Sequence, residues 1–261
     1  MRDKRNIQSL ERGLMILRMF AESATPLTVT EVSKALGLNK ATTHRFLYTL
    51  QKGGYLYRVD DKGYLLGGKI LSLGFAYFNS SNIIASVKPH LDELSDIFNK
   101  TVNLAILDDV SELFLYRKEV AKFVKYNLGP GSRIPAHVGS IGKVLLAGLP
   151  TDELKRRIDR IDFQAVTPKS ITSPKVLWKQ LMTIREMGYA ISNQELSMDL
   201  YGIAVPLIQE KGEIIAGINI SSVAGKITSP ESKKIIDLLM KKGKIISMAL
   251  GYSGPYPCFP M

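Results

Sequence analysis

The stretch from Thr28 to Leu66 constrains this chain more than any other part of it. Thr28 and Glu31 stand three residues apart at the start of an apolar-periodic run of Val29, Val32 and Leu36. That spacing is a capping box, in which each residue's side chain satisfies the other's main-chain N–H at a helix start. Gly37 is placed to end this helix, because glycine enters the left-handed region without steric cost. Asn39 then caps a second helix, Lys40 to Gln51, whose buried side is Phe46, Leu47 and Leu50. Two short helices across a tight glycine-containing turn make a helix-turn-helix. Directly after it, Gly54-Tyr55-Leu56-Tyr57-Arg58-Val59 and Gly63-Tyr64-Leu65-Leu66 are β-prone runs flanking the turn Asp60-Asp61-Lys62. A hairpin in that place is a wing.

The chemistry of the second helix suits double-stranded DNA. Its polar face carries Lys40, Thr42, Thr43, His44, Arg45 and Tyr48, and the wing adds Arg58 and Lys62. Arginine reads guanine O6 and N7, hydroxyls take base edges or phosphates, and lysine reaches phosphate. A solvated helix face has similar composition, so charge matters to the choice. The formal net charge is +11, and residues 1–80 hold 12 Lys and Arg against 6 Asp and Glu, while the rest holds 23 against 18. A positive field concentrated at the front favours a polyanionic partner.

The remaining pattern reads as α+β. A first helix shows Leu10, Leu14, Leu17 and Ala21 on one face, with Ser9 as its cap. From Gly67 the spacing of Ile70, Leu71, Leu73, Gly74, Tyr77 and Phe78 predicts a linker helix, followed by a helix over Ile83–Asn99. The expected domains are 1–66, a winged helix-turn-helix; 67–81, the linker; and 82–261, a ligand-binding domain. Strands are expected at Val102–Leu107, Leu113–Arg117, Phe123–Leu128, Ala190–Ser192, Gly202–Ile208 and Ile214–Ser221. Helices are expected at Ser140–Gly148, Asp152–Ile161, Lys175–Met187 and Pro230–Leu250. Strands in clusters flanked by helices suggest an antiparallel sheet with helices packed on it.

Several classes are disfavoured. One cysteine, Cys258, permits no internal disulfide, and its Pro-rich surroundings (residues 254–260) read as a loose end. No apolar run is long enough to span a bilayer, and the first residues lack a signal peptide's apolar core, which together predict a cytoplasmic protein. Gly139-Ser140-Ile141-Gly142-Lys143 has glycine spacing too short for a phosphate loop, and Ser140-x-x-Lys143 lacks the companion motifs of serine transferases. His44, His90 and His137 lie far apart, so neither a metal nor a cofactor is implied, and an enzyme is not expected. A purely architectural DNA-binding protein would have no use for the large second domain.

Ile7-Gln8-Ser9-Leu10-Glu11-Arg12-Gly13-Leu14 resembles the opening helix of the IclR family of regulators, as does the block from Leu36 to Tyr57. Arg185-Glu186-Met187-Gly188-Tyr189-Ala190, Gly202-Ile203-Ala204-Val205-Pro206 and Ile218-Asn219-Ile220-Ser221 resemble its effector domain. The segments Asn127–Ala136 and Ser140–Ala147 are most similar to the branch controlling aromatic-acid catabolism. The resemblance implies a GAF-like effector domain and dimers, paired into tetramers in many members, on palindromic or repeated operators. It also implies a pocket for a small organic acid lined by Phe123, Tyr126, Ile134, Ser140, Ile141, Ser192, Leu200, Gly202, Asn219 and Ser221. Ser192 stands where some members carry an acidic residue, and Gly202 replaces a bulkier side chain, which makes the pocket roomier. Arg133, His137 and the N–H groups opening the Ser140 helix are candidate partners for the ligand's carboxylate.

Overall fold

The computed structural model describes residues 6–80, 82–120, 128–225 and 227–260. The chain divides into two compact units, Met1–Ser81 and Asn82–Met261.

In the first unit α1 (Gln8–Glu22), α2 (Val29–Leu36) and α3 (Lys40–Lys52) precede a two-stranded antiparallel ribbon, β1 (Leu56–Val59) and β2 (Gly63–Leu66), and then α4 (Lys69–Ser80). The capping box forms: the Thr28 side chain accepts from the Glu31 N–H, and Glu31 Oε2 accepts from the Thr28 N–H at 2.7 Å. Gly37 ends α2 at φ +62°, and Asn39 Oδ1 accepts from the Thr42 N–H at 2.8 Å to start α3. Ile16, Phe20, Val32, Leu47, Leu56 and Tyr64 make a core drawn from every element but α4. Main-chain bonds between Leu27 and Tyr64, 2.9 and 3.0 Å, tie the α1–α2 connection to the wing. Ser9 is not the cap of α1; the helix already begins at Gln8, with Ile7 in the capping position and no side-chain bond there.

The second unit opens with α5 (Asn82–Phe98) and builds one six-stranded sheet in the order β5-β4-β3-β8-β7-β6, every neighbouring pair antiparallel. The strands are β3 (Thr101–Asp108), β4 (Ser111–Lys118), β5 (Arg133–Pro135), β6 (Ala190–Asn193), β7 (Leu200–Ile208) and β8 (Ile214–Val223). On one face α5 and α9 (Ser229–Ala249) bury Val87, Leu91, Leu94, Ile235, Leu239 and Ile246 against Leu104, Val205 and Ile218. The other face carries α6 (Ser140–Ala147), with α7 (Thr151–Ile158) and α8 (Pro174–Met187) around a second core. This is the GAF-like arrangement, an antiparallel sheet between two helical layers.

Of the strand expected at Phe123–Leu128, residues 123–127 lie outside the described residues, and Leu128 is not in a strand. Two expectations change. A three-residue edge strand, β5, replaces the loop expected before α6; Pro135 is tolerated there because an edge position need not donate to a ladder. The C-terminal segment is not loose. Tyr256 donates its hydroxyl to the Pro206 carbonyl at 2.7 Å, and Phe259 packs on the second core. Gly243 makes room for it, since a Cβ there would lie 1.9 Å from the Tyr256 hydroxyl.

Strand β4 contains the irregularity that shapes the ligand-binding face. Leu104 of β3 pairs with Tyr116 while Ala105 pairs with Phe114, so Leu115 is an extra residue, a β-bulge. Before the bulge Glu112 and Phe114 share a face; after it Arg117, not Tyr116, continues that face.

Candidate nucleic-acid interface and ligand cavity

Helix α3 presents Lys40, His44, Arg45 and Tyr48 to solvent, the last 57% exposed, with Thr42 half-buried beside them. Four-residue spacing puts Lys40, His44 and Tyr48 on one stripe, with Arg45 adjoining. Arg45 and Thr42 border a shallow cleft with Arg12 of α1, a basic residue that motif reading of α3 alone does not find. In the wing Arg58 and Lys62 are exposed. Thr43 departs from this set. It is fully buried, and its hydroxyl donates to the Asn39 carbonyl at 3.1 Å, because position 43 lies one turn before Leu47 on the core stripe. It holds the start of α3 and cannot touch DNA.

In the second unit a small cavity of about 30 Å³ opens at the N-terminal end of α6. Two cross-strand rows form its floor. One runs Arg117–Asn103–Asn219, and the other Ser221–Gly202–Ser192. Phe114, Leu128, Ile134, Leu196 and Leu200 make apolar walls.

A chain of hydrogen bonds crosses the floor. Arg117 Nη1 donates to Asn103 Oδ1 at 2.8 Å, Asn103 Nδ2 donates to Asn219 Oδ1 at 2.7 Å, and Asn219 Nδ2 donates to Ser140 Oγ at 3.0 Å. Ser192 spends its hydroxyl proton on the Val138 carbonyl at 2.7 Å. Arg117 Nη2 pairs with Glu119 at 2.8 Å, yet the buried Nε–H has no acceptor among the described residues. An unmet donor on a cation in an enclosed cavity is costly, and an incoming anion relieves it.

The opposite charge sits in the same cavity. Glu112 is fully buried, and its Oε2 accepts from the Gly142 N–H at 2.8 Å, inside the first turn of α6. Burial pushes its carboxyl up to about 7, with the Gly142 bond pulling the other way. Gly139 permits the approach, since a Cβ there would lie 2.1 Å from Glu112 Oε2.

Of the residues expected in the pocket, Ile134, Ser140, Ser192, Leu200, Gly202, Asn219 and Ser221 come together. Phe123 and Tyr126 lie outside the described residues. Three others do not line it. Arg133 precedes Ile134 on β5 and so points the other way, ion-paired with Asp108 at 2.7 Å in solvent. His137 is buried with its ring 5.3 Å from that of Phe163, and burial lowers its pKa, which disfavours the cation a carboxylate partner would need. Ile141 faces the core under α6. Asn103, Glu112, Phe114, Arg117, Leu128, Gly139 and Leu196 join the cavity unforeseen. A carboxylate followed by three apolar residues in a strand, Glu112-Leu113-Phe114-Leu115, was the available signal.

The Ser140-x-x-Lys143 pair is not a nucleophile and base. Lys143 is buried and donates to Glu195 Oε1 and Oε2 at 2.7 and 2.9 Å, to the Ile191 carbonyl at 2.7 Å and to Gln180 at 3.2 Å. Burial pushes Lys143 down and Glu195 up, while their mutual attraction opposes both shifts. Among the described residues no cluster of His, Cys, Asp and Glu could hold a metal ion. Nor, among them, is any helix long and apolar enough to cross a membrane.

Residues 9–60 match the IclR helix-turn-helix domain, and residues 75–248 match the bacterial transcriptional regulator IclR C-terminal domain. The chain is 34% identical to the HTH-type transcriptional regulator XynR of Escherichia coli (strain K12), over 94% of this chain and 98% of that one. It is 33% identical to the Pca regulon regulatory protein of Pseudomonas putida, over 85% and 77% respectively. An IclR homolog from Microbacterium hydrocarbonoxydans, solved in complex with 4-hydroxybenzoate, shares the fold with a TM-score of 0.79 at 23% identity, over 93% of this chain and 98% of that one. These relatives are regulators rather than enzymes, and the chain belongs to the IclR family, as a DNA-binding transcriptional regulator.

Proposed function

We propose that this regulator controls a catabolic operon in response to a small organic acid bound in the α6 cavity. The observation that carries the reading is Arg117: a guanidinium on a side chain only 7% exposed, whose Nε–H has no acceptor among the described residues, at the end of a polar floor between apolar walls. A carboxylate loses its water on entering such a site, and convergent donors must replace that solvation. Asn103, Asn219, Ser140 and Ser221 surround the place where they are needed. The 4-hydroxybenzoate in the Microbacterium neighbour supports the same class of ligand.

In the first unit, Lys40, Thr42, His44, Arg45 and Tyr48 enter the major groove from α3, while Arg12, Arg58 and Lys62 hold flanking phosphates. The regulator acts in the cytoplasm as a dimer on a palindromic or repeated operator, half-site spacing following the two-fold symmetry of the protein. Exposed Leu10, Leu14, Leu71 and Leu73 supply an apolar surface for the partner subunit. Ligand changes operator affinity only by binding two arrangements of the dimer unequally, and operator DNA then changes ligand affinity by the reciprocal factor. Calorimetry with a panel of aromatic and aliphatic acids, with and without operator DNA, tests the reading. Acid binding that operator DNA leaves unchanged would remove it.

A further inference from the structure

Strand β6 ends the six-stranded sheet, so one side of its main chain meets no strand among the described residues. Which of its groups point outward follows from register. The Gln194 N–H donates to the Leu200 carbonyl at 2.7 Å, and the pairing runs Ser192 with Gly202 and Ala190 with Ala204. Bonded pairs in an antiparallel ladder recur at every second residue, so Ile191 and Asn193 turn their N–H and C=O groups away from β7. A bare edge of this kind is a template for another strand. Grooves of about 310 Å³ against α8 and about 640 Å³ against α9 flank it, both bordered by Tyr189 and Ile191, which leaves space for an added strand's side chains. Yet the edge is not bare. The Ile191 carbonyl accepts from Lys143 Nζ at 2.7 Å, and the Asn193 N–H donates to Glu195 Oε1 at 3.4 Å. Lys143 and Glu195 also bind each other, at 2.7 and 2.9 Å, and both are buried. Apolar groups in place of such a pair often hold a fold equally well, so stability alone does not account for it.

We propose that the Lys143–Glu195 pair closes the β6 edge against the β6 edge of a second copy of this chain. Two such strands related by a two-fold axis at Ser192 set Ile191 of one copy opposite Asn193 of the other. Residues so placed exchange both main-chain N–H···O bonds, and the axis repeats the exchange. One bond of each exchange runs from the Asn193 N–H of one copy to the Ile191 carbonyl of the other. Those are the groups that Glu195 and Lys143 occupy, so the ion pair takes both ends of the same interchain bond. An arriving strand has to pull each charge from its partners, and an uncompensated buried charge is strongly penalised. Assembly of the regulator is thereby confined to surfaces other than this edge. The inference stands whether or not the α6 cavity takes an effector.

Sedimentation velocity on the full chain tests this with Lys143→Met/Glu195→Leu, which frees both outward groups and puts apolar side chains in place of the charges. Its weight-average mass should rise to about twice that of the wild type or more over the same concentrations, as a new two-fold contact requires. Circular dichroism checks that the variant is folded. Adding Asn193→Pro removes the outward N–H and no bond to β7, a change that a sheet edge tolerates, and should return the mass to that of the wild type. Should the leucine variant not fold, Lys143→Met/Glu195→Gln is read in the same way, since it frees the Ile191 carbonyl and keeps residue 195 polar. A folded variant without the lysine that keeps the wild-type mass overturns the proposal. So does a rise in mass that Asn193→Pro leaves in place, because the new contact then runs through some other surface.

Discussion

Glu112 Oε2 accepts the Gly142 N–H at 2.8 Å, so the protein's own carboxylate occupies a donor in the first turn of α6. A helix N-terminus is a ready anion site, and here the anion is built in. Arg117, whose side chain is 7% exposed, lines the same cavity.

The burial of Glu112 has a pH consequence. Glu112 is raised from 4.5 to about 7 in the folded protein, so the folded state holds its proton more tightly than the unfolded state. Stability from this group is full below pH about 4.5 and is lost as pH rises through 7, a total of about 3 kcal/mol. Glu112→Gln removes the loss. Urea unfolding should show the variant more stable than the wild type at pH 8, the gap closing at pH 4.5; a gap of constant size contradicts the assignment.

Lys143→Met leaves the Glu195 carboxylate buried beside Gln180 without its cation. Removing one partner of such a pair costs about 3–5 kcal/mol, whereas replacing both with apolar groups is often neutral. Thermal melts should place Lys143→Met far below the wild type and Lys143→Met/Glu195→Leu close to it. Equal melting of the single and double variants would mean that the pair is not coupled.

Arg45→Ala should weaken specific operator binding by about 1–3 kcal/mol in gel shifts, as loss of a base-edge contact does. Thr43→Ala behaves differently: buried Thr43 bonds to the Asn39 carbonyl, so its loss lowers the melting temperature and leaves operator contacts in place. Unchanged affinity in Arg45→Ala would take α3 out of the major groove.

Leu71 is 64% exposed on α4 and Leu14 is 52% exposed on α1, surfaces that water disfavours. Sedimentation of Leu14→Asp/Leu71→Asp should show monomers at concentrations where the wild type is dimeric. A persistent dimer places the interface elsewhere.

The winged helix was legible because its signals are local. Thr28 with Glu31, Gly37 and Asn39 each bond within a few residues of themselves. Thr43 misled because polarity suggests solvent, while its register with Leu47 places it in the core. Half the cavity was legible through resemblance, since Ser192, Gly202, Asn219 and Ser221 lie in regularly alternating strands. Arg117 was not, because alternation counted from Glu112 sends it to the opposite face, and only pairing with β3 reveals the extra residue. Arg133 failed for the complementary reason, as β5 is too short to declare its own alternation.

The bulge at Leu115 makes ligand choice a matter of counting. Pair Leu115 regularly instead and Tyr116 and Arg117 exchange faces, turning a cation-bearing cavity into a phenolic one and driving a guanidinium into the α5 layer. A lineage could thus acquire or abandon anionic signals by a change of register rather than of residue type. Comparing regulators of this fold by aligned side chains would overlook that change; comparing how the cavity strand pairs with its neighbour would expose it.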